Sequence, residues 1–271
     1  MHDSAINEHS RLATLERIAK YTVGIAVHEN RGIGTGTFVT DGTGHYILTA
    51  AHVIDGADVT AAHFFIRPDK ALIEKPAIET TSEEVGSTTV GINIPIIGVA
   101  RDPGLDVAIL TIDPSFVLPE PAEFYQLAKS HDFATWPEEK LDDVSLHIFG
   151  FPTANARPIE ATEHGTLYFL GAASMLVRYS ASLNETGFKT LNHTVSKEKD
   201  FLFEYTGMRE GIHPRGFSGC GAWVVMSKQG ARVWSIEPLL VGVVHSYFSR
   251  SKVLAATKLR RIIRFELNES G

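Results

Sequence analysis

A serine between glycines is the residue of this sequence best suited to covalent chemistry. Residues 215–221 read Arg-Gly-Phe-Ser-Gly-Cys-Gly, with Ser218 in the middle. Glycines allow a tight backbone turn and bring bare N–H groups near the hydroxyl, which is the geometry that stabilises an oxyanion. Such clusters also form ordinary turns, and Gly-x-Ser-x-Gly occurs in α/β-hydrolases, where a helix follows the serine. Because a β-type run follows at 222–226, the sequence disfavours the α/β-hydrolase arrangement.

A serine hydroxyl becomes a good nucleophile only when a base and an orienting acid accompany it. Residues 46–54 carry an apolar run into His52, with small residues just before the histidine. Residues 104–110 place Asp106 at the mouth of a continuous apolar strand, behind a turn. A carboxylate in that position is costly to bury unless something pairs with it, and an imidazole N–H is the obvious partner.

The order His52, Asp106, Ser218, within the segments TAAH, DVAIL and GFSGCG, resembles the chymotrypsin-like serine peptidases. The chain looks most like the bacterial, disulfide-free type, similar to the protease domain of the high-temperature-requirement proteases. The resemblance runs from about Thr22 over nearly the whole chain. It implies that Ser218 attacks a peptide carbonyl, that His52 moves its proton and that Asp106 holds the imidazole tautomer. It also implies an oxyanion hole formed by the backbone N–H groups of Gly216 and Ser218.

The fold that the resemblance implies is all-β, with two packed six-stranded antiparallel β-barrels and short N- and C-terminal helices. We expect an N-terminal helix within 1–20, a first barrel over 21–125, a linker over 126–143, a second barrel over 144–252 and a C-terminal helix over 253–271. Strands are predicted at 21–28, 33–40, 45–49, 59–66, 90–100 and 105–112 in the first barrel, and at 144–151, 160–170, 174–182, 201–205, 221–226 and 239–247 in the second.

Three other segments have patterns that predict structure. Residues 4–19 predict an amphipathic helix, for which packing on its own barrel is favoured over a role as an arm for a partner. Residues 253–267 predict a second amphipathic helix, and the resemblance implies that it packs on the second barrel, which we favour over contact with a membrane. The polar stretch 70–89 predicts a long surface loop.

The composition narrows the class of protein further. The chain has 271 residues, 44% of them hydrophobic, which suffices for one large core or two small ones. A formal net charge of -7 offers no basic surface, so we expect neither nucleic acid nor a membrane as a partner. A single cysteine, Cys220, cannot form an intrachain disulfide and fits a reducing compartment. The N-terminus has no basic region followed by an apolar core, and we expect a cytoplasmic protein.

No cofactor and no metal are expected. None of the 12 histidines forms a His-Glu-x-x-His pattern or lies beside a pair of cysteines at zinc spacing. We expect most of the histidines to face solvent. Cys220 occupies a place where the family usually has glycine, and we favour a small buried thiol over a redox switch.

Four residues are predicted to contact the substrate: Ile212, Val244, His245 and Tyr247. Trypsin-like members have an acid where this chain has Ile212, and open pockets have glycine where it has Tyr247. An apolar floor leaves a buried lysine or arginine unpaired, so we expect small or medium apolar residues before the scissile bond, unless a shifted loop brings Glu210 inward. His245 also matches a serine that supports the triad aspartate in digestive members, and it either takes that role or faces solvent.

The function that these residues favour is serine endopeptidase activity, with a polypeptide substrate and limited, regulated cleavage. Phe217 replaces the aspartate that pairs with a freshly cut N-terminus in secreted members, so we expect no proteolytic maturation. Control would then come from loop order set by substrate or an activating protein, with 184–199 and 208–215 as the candidate loops. Two alternatives stay open: a catalytically silent peptide-binding pseudopeptidase, and an esterase that uses the same triad.

Overall fold

Sixteen strands make up most of the part of the chain that the structure describes. The structure is a computed structural model, and it describes residues 13–27, 32–67, 90–130, 145–152, 156–162, 165–170, 173–179, 188–190, 193–205, 213–227 and 236–262. A helix over 13–20 precedes the first strand, and a second helix over 259–262 follows the last. Within these ranges, no helix has both the length and the apolar composition needed to cross a membrane.

The first sheet contains the first eight strands. They are β1 (Thr22–Val27), β2 (Gly32–Thr40), β3 (His45–Thr49), β4 (His63–Ile66), β5 (Val90–Ile92), β6 (Ile96–Asp102), β7 (Val107–Ile112) and β8 (Tyr125–Gln126). Seven of them lie side by side in the order β5-β4-β1-β2-β3-β7-β6, with antiparallel neighbours. The short β8 pairs with β2 in parallel. Over the described residues this sheet is an open path and not the closed six-stranded barrel that was expected.

The second half of the chain contains the other eight strands. They are β9 (Ser145–Gly150), β10 (Ala156–Thr162), β11 (Gly165–Leu170), β12 (Ala173–Tyr179), β13 (Asp200–Glu204), β14 (Gly221–Ser227), β15 (Ile236–Phe248) and β16 (Val253–Lys258). Six of them close into an antiparallel barrel in the order β12-β13-β16-β15-β14-β9. Strands β10 and β11 form a separate hairpin.

The C-terminal segment differs from the prediction. Residues 253–258, which were expected to begin a helix, form strand β16 between β13 and β15. All six residues are buried, because the strand is covered on both faces. A strand that is buried on both faces has no polar alternation, and its apolar residues can be mistaken for one face of a helix. Of the predicted helix, the described residues include only the turn at 259–262.

Three predicted strands are interrupted in the structure. Residues Val59–Ala61 form a 3₁₀ turn before β4 begins at His63. The stretch 90–100 is divided into β5 and β6 on either side of Pro95, which cannot donate to a ladder. The stretch 160–170 is the end of one strand and the whole of the next, in the hairpin β10–β11. The surface loop predicted over 70–89 lies outside the described residues, as do residues 131–143 of the linker.

A shared apolar cluster joins the two sheets. It contains side chains from the first sheet, the barrel and both helical segments, among them Ile18, Tyr21, Val39, Leu48, Val107, Ile109, Tyr125, Phe149, Trp223, Leu240, Val243, Leu259 and Ile262. At its centre the buried Trp223 ring stacks on Tyr21 at 5.6 Å and meets Tyr125 edge-on at 5.0 Å. Because this cluster lies between the two sheets, it packs the last residues of β3 and the first residues of β7 against the start of β14.

The helix over 13–20 is predicted to contribute to stability through this cluster. Ile18 is fully buried, so Ile18→Ala removes apolar contacts and leaves a cavity that costs about 2–5 kcal/mol. The control is Val117→Ala, because Val117 is 82% exposed and its truncation changes stability by less than about 0.5 kcal/mol. Urea unfolding followed by tryptophan fluorescence measures both variants. Equal stability of the two variants would show that the helix is not docked.

Candidate active site

The three residues that the sequence singled out lie where strands begin or end. His52 is in a 3₁₀ turn, Ala51–Val53, just after β3. Asp106 immediately precedes β7, which pairs with β3. Ser218 is in the turn that leads into β14 of the barrel. The pairing of β3 with β7 therefore brings His52 beside Asp106. Ser218 can approach these two residues only through the packing of the barrel against the first sheet.

The contact between His52 and Asp106 is made at two levels. The backbone N–H of His52 donates to Oδ1 of Asp106 at 3.1 Å. The ring nitrogen Nδ1 lies 3.1 Å from Oδ1 and 2.9 Å from Oδ2. Because a carboxylate can only accept, Nδ1 carries the proton in this contact. The side chain of His52 is 47% exposed and that of Asp106 only 9%, so the carboxylate lies behind the imidazole as seen from solvent.

Burial would raise the pKa of the Asp106 carboxyl, but stronger effects lower it. The hydrogen bond from His52 favours the ionised form, as do the positive charges that His52 and His245 carry when protonated, and the pKa of Asp106 is lowered overall. The backbone of Asp106 is also unusual, because its φ of 50° lies in the left-handed region. Aspartate tolerates that region better than most residues, yet the conformation persists only where the surroundings hold it. One such contact is the N–H of Ala51, which donates to the Asp106 carbonyl at 3.1 Å.

The loop that carries Ser218 is tied to the first sheet by Thr35 of β2. The N–H of Thr35 donates to the Ser218 carbonyl at 2.8 Å, and its hydroxyl donates to the Gly216 carbonyl at 2.7 Å. The carbonyl of Thr35 in turn accepts from the hydroxyl of Thr49, at the end of β3. Thr35 thus connects the serine loop with the strand that leads to His52. The sequence analysis missed this residue, which was marked only as part of the strand predicted over 33–40.

Two backbone amides of the serine loop have no partner among the described residues. The N–H groups of Phe217, Gly219 and Cys220 donate to carbonyls of Pro214, Val244 and Phe217 respectively. The N–H groups of Gly216 and Ser218 make no hydrogen bond within the described part of the chain. Gly216 has a φ of 103°, which a residue with a side chain would adopt only with strain. These two amides are the ones that the sequence predicted as oxyanion donors.

The hydroxyl of Ser218 makes one hydrogen bond in the described structure, a long one of 3.4 Å to the carbonyl of His245. Within those residues it makes none to His52. Hydrogen bonds between a serine and its base are often long or misaligned before substrate binds, so this geometry is compatible with a nucleophile.

The four predicted substrate-contact residues are in different environments. Ile212 lies outside the described residues. The side chains of Val244 and His245 are buried, so a substrate could reach only their backbone atoms. Tyr247 is half-buried, and its ring meets that of Tyr205 at 5.1 Å. A β-bulge between Val244 and Ser246 of β15 explains the inward direction of His245, because a bulge turns the extra side chain out of its alternation.

His245 does not face solvent, and it belongs to a buried cluster. Its Nδ1 lies 4.0 Å from Oδ2 of Asp106, and its Nε2 lies 3.2 Å from Oδ1 of Asp200. The other oxygen of Asp200 lies 3.0 Å from Nε2 of His193. His193 and His147 are also buried, whereas His52, His63 and His213 are exposed, so the expectation that most histidines face solvent fails for some of the described histidines and stays a prediction for the chain as a whole. Neither His193 nor Asp200 was identified from the sequence, where His193 lies in a polar stretch that predicts a surface loop.

The cluster is the place in the described residues where a metal ion could be held. Donor atoms of His193, Asp200 and His245 lie within 4.8 Å of one another, and nitrogen and carboxylate ligands suit zinc. Hydrogen bonds, however, already account for the ring nitrogens of both histidines.

The single cysteine, Cys220, is fully buried, and burial raises the pKa of its thiol. The expectation of a buried thiol is confirmed.

Comparison with known proteins identifies the class. Residues 34–187 match the family model described as a trypsin-like peptidase domain. That match covers more than half of the chain, and the chain therefore belongs to the trypsin-like peptidase family. The protein is accordingly a hydrolase of the serine protease class. The matched residues include His52 and Asp106 and end before Ser218.

Among solved structures, the crystal structure of Deg5 is similar to this chain. The sequences are 16% identical, the match covers 95% of this chain and 92% of the other, and the TM-score is 0.53. At this level of identity the likeness concerns the fold alone. No curated protein matches the chain.

Gly219 is predicted to be irreplaceable in the serine loop. Its φ is 88°, and a Cβ there would overlap the carbonyl oxygen of Thr35 and the hydroxyl of Thr49. Gly219→Ala should therefore lose about 3–5 kcal/mol, from backbone strain and overpacking together. The matched control is Gly42→Ala, where φ is 96° but no atom lies within 4 Å, and where strain alone costs about 1–2 kcal/mol. Equal losses in urea unfolding would contradict the packing of the serine loop on β2.

Proposed function

We propose that the chain is a serine endopeptidase in which Ser218 is the nucleophile, His52 the general base and Asp106 the residue that orients the imidazole. The observation that carries the proposal is the contact of His52 Nδ1 with both oxygens of the Asp106 carboxylate, at 3.1 and 2.9 Å. An imidazole protonated at Nδ1 has a free lone pair at Nε2, which can accept a proton from a serine hydroxyl.

The proposed reaction has two halves. Ser218 Oγ attacks the carbonyl carbon of a peptide bond while its proton passes to Nε2 of His52. The proton then goes to the leaving amine, and the C–N bond breaks to leave an ester between Ser218 and the acyl part of the substrate. Water attacks this ester with His52 again as the base, which releases the acid and restores the serine.

The amides of Gly216 and Ser218, which have no partner among the described residues, support the assignment of an oxyanion hole. In each half of the reaction the carbonyl oxygen gains negative charge, and donors already aimed at that place need no reorganisation. Two amides without a partner in the described part of the chain, in a loop whose other amides are bonded, are suited to that task. A donor of this kind contributes about 3 kcal/mol to the stability of the transition state.

The architecture and the regulation also belong to the proposal. Six consecutive strands of the first sheet, in the order β4-β1-β2-β3-β7-β6, equal in number the strands of the closed barrel in the second half of the chain. We therefore propose that these six strands form a second barrel and that the enzyme has two barrels.

The 3.4 Å contact of Ser218 with the His245 carbonyl supports a site that is ordered fully only when a substrate or an activating protein binds. Limited cleavage of selected polypeptides, without proteolytic maturation, is the function that we infer.

Covalent labelling with a fluorophosphonate probe is the test of the triad. The full-length protein, confirmed uncut by intact mass, should gain one probe molecule on Ser218, as peptide mapping can establish. His52→Ala should slow the labelling by about four to six orders of magnitude, because the hydroxyl loses its base. His63→Ala is the control, since His63 is an exposed histidine on β4. A folded protein that is not labelled would favour a peptide-binding pseudopeptidase, and labelling only after cleavage near residues 20–30 would refute the absence of maturation.

Substrate preference is predicted from the residues around the pocket. A small or medium apolar residue before the scissile bond should be preferred over lysine or arginine by at least about 100-fold in kcat/KM, because an unpaired cation would be buried against an apolar wall. Tyr247, which packs against Tyr205, is the part of that wall within the described residues. A peptide library measures the preference. A preference for lysine or arginine would contradict the prediction, and cleavage of ester substrates alone would favour an esterase.

A further inference from the structure

Behind Asp106 lies a group of three buried side chains to which the proposed reaction assigns no task. We call His193, Asp200 and His245 the histidine–aspartate cluster. All three side chains are completely inaccessible to solvent. His193 lies in the segment before β13, Asp200 begins β13, and His245 occupies the bulge of β15. The cluster therefore belongs to the barrel, whereas His52 and Asp106 belong to the first sheet.

Asp200 is the centre of the cluster and is well supplied with donors. Its Oδ2 accepts from Nε2 of His193 at 3.0 Å and from the N–H of Ser196 at 2.9 Å. Its Oδ1 accepts from Nε2 of His245 at 3.2 Å. A buried carboxylate with several donors stays ionised, and these bonds with the nearby charge of His245 lower the pKa of Asp200 far below its ordinary value against the effect of burial.

His193 has an acceptor at each ring nitrogen. Nδ1 lies 2.7 Å from the carbonyl oxygen of Gly104, and Nε2 faces the ionised Asp200. Neither acceptor can donate, so both nitrogens carry protons and His193 is an imidazolium. Burial alone would lower the pKa of His193, but the bond and charge of Asp200 outweigh burial and raise it. Asp200 and His193 therefore form a buried ion pair.

The cluster contacts the turn before Asp106 at consecutive positions. His193 donates to the carbonyl of Gly104, as described above. The hydroxyl of Thr257, which also lies 3.4 Å from Asp200 Oδ1, donates to the carbonyl of Leu105 at 2.6 Å. These two carbonyls belong to the residues that immediately precede Asp106, whose left-handed backbone must be held in place. The next contact is Nδ1 of His245, at 4.0 Å from the Asp106 carboxylate itself.

We propose that the histidine–aspartate cluster positions Asp106 behind His52 by fixing the turn at Gly104 and Leu105, with Asp200 as its central positioning residue. The proposal rests on the proposed function, because positioning matters only if the triad acts. It explains why an ion pair is buried between the barrel and a turn of the other sheet. A buried ion pair is weak evidence for a role in stability. Here His193 also donates to the backbone of the turn that carries the Asp106 carboxylate.

The variant Asp200→Asn tests the proposal. The amide removes the charge and one acceptor site at almost the same volume, which releases His193 from its ion pair. We expect kcat to fall by about 100-fold, as a displacement of about 1 Å in the triad would cause, with KM changed by less than about twofold. The rate of fluorophosphonate labelling of Ser218 should fall with kcat. The matched control is Asp113→Asn, a half-buried aspartate whose side chain accepts only from Ser115 among the described residues, and this variant should leave both rates unchanged.

A double-mutant cycle with Asp106→Asn separates positioning from a merely structural role. If Asp200 acts through the Asp106 carboxylate, Asp200→Asn should change the labelling rate by less than about threefold once Asp106 is already Asn. An undiminished effect of Asp200→Asn in the Asp106→Asn background would overturn the proposal. If Asp200→Asn fails to fold, Thr257→Val is the alternative, because it removes the hydrogen bond to the Leu105 carbonyl and leaves the buried ion pair of Asp200 and His193 in place. It should show the same loss of kcat and the same dependence on Asp106.

A measurement that needs no turnover keeps the proposal distinct from the proposed function. A proton on Nδ1 of His52 that is hydrogen-bonded to Asp106 should give a far-downfield proton NMR signal whether or not the enzyme is active. This signal should shift or disappear in Asp200→Asn and persist in Asp113→Asn. An unchanged signal in Asp200→Asn would overturn the proposal even in an active enzyme. So would one equivalent of a tightly held transition metal, found by elemental analysis in the wild-type protein and lost in Asp200→Asn.

Discussion

The carboxylate of Asp106 is almost completely buried, and the rest of the site depends on how that burial is compensated. A charge removed from water needs close partners, and His52 supplies them through its backbone N–H and its ring. The same bonds fix the orientation of the imidazole. Asp106 also holds a left-handed backbone, and the N–H of Ala51 donates to its carbonyl from the same half of the chain. We propose that His193 and Thr257 of the barrel further restrain the turn before Asp106.

The site is therefore shared between the two halves of the chain. The first sheet contributes the histidine and the aspartate, and the barrel contributes the serine loop. Thr35 reaches across to bind the carbonyls of Gly216 and Ser218, while the cluster reaches in the opposite direction to Gly104. The shared apolar cluster around Trp223 holds the two halves of the chain together. In the proposed assignment neither half supplies all three triad residues, so activity would depend on how the two halves pack.

Local patterns predicted the candidate triad and most strands, because each signal lies within a few consecutive residues. His52 and Asp106 border apolar strands, and Ser218 lies among glycines. The cluster was not predictable in this way, since His193 lies in a polar segment and its partner Gly104 is 89 residues distant along the chain. The inward direction of His245 depends on a bulge that leaves no mark in the sequence. Strand β16 was mistaken for a helix because burial on both faces removes the polar alternation of a strand.

The central claim is that Ser218 forms a covalent acyl-enzyme. The most direct measurement is the pre-steady-state release of a chromogenic alcohol from the ester of a small, apolar acylamino acid. The account predicts a burst of about one equivalent of alcohol for each molecule of uncut protein, followed by slower turnover, and no burst in Ser218→Ala. A well-folded wild-type protein that gives no burst and no turnover would contradict the account.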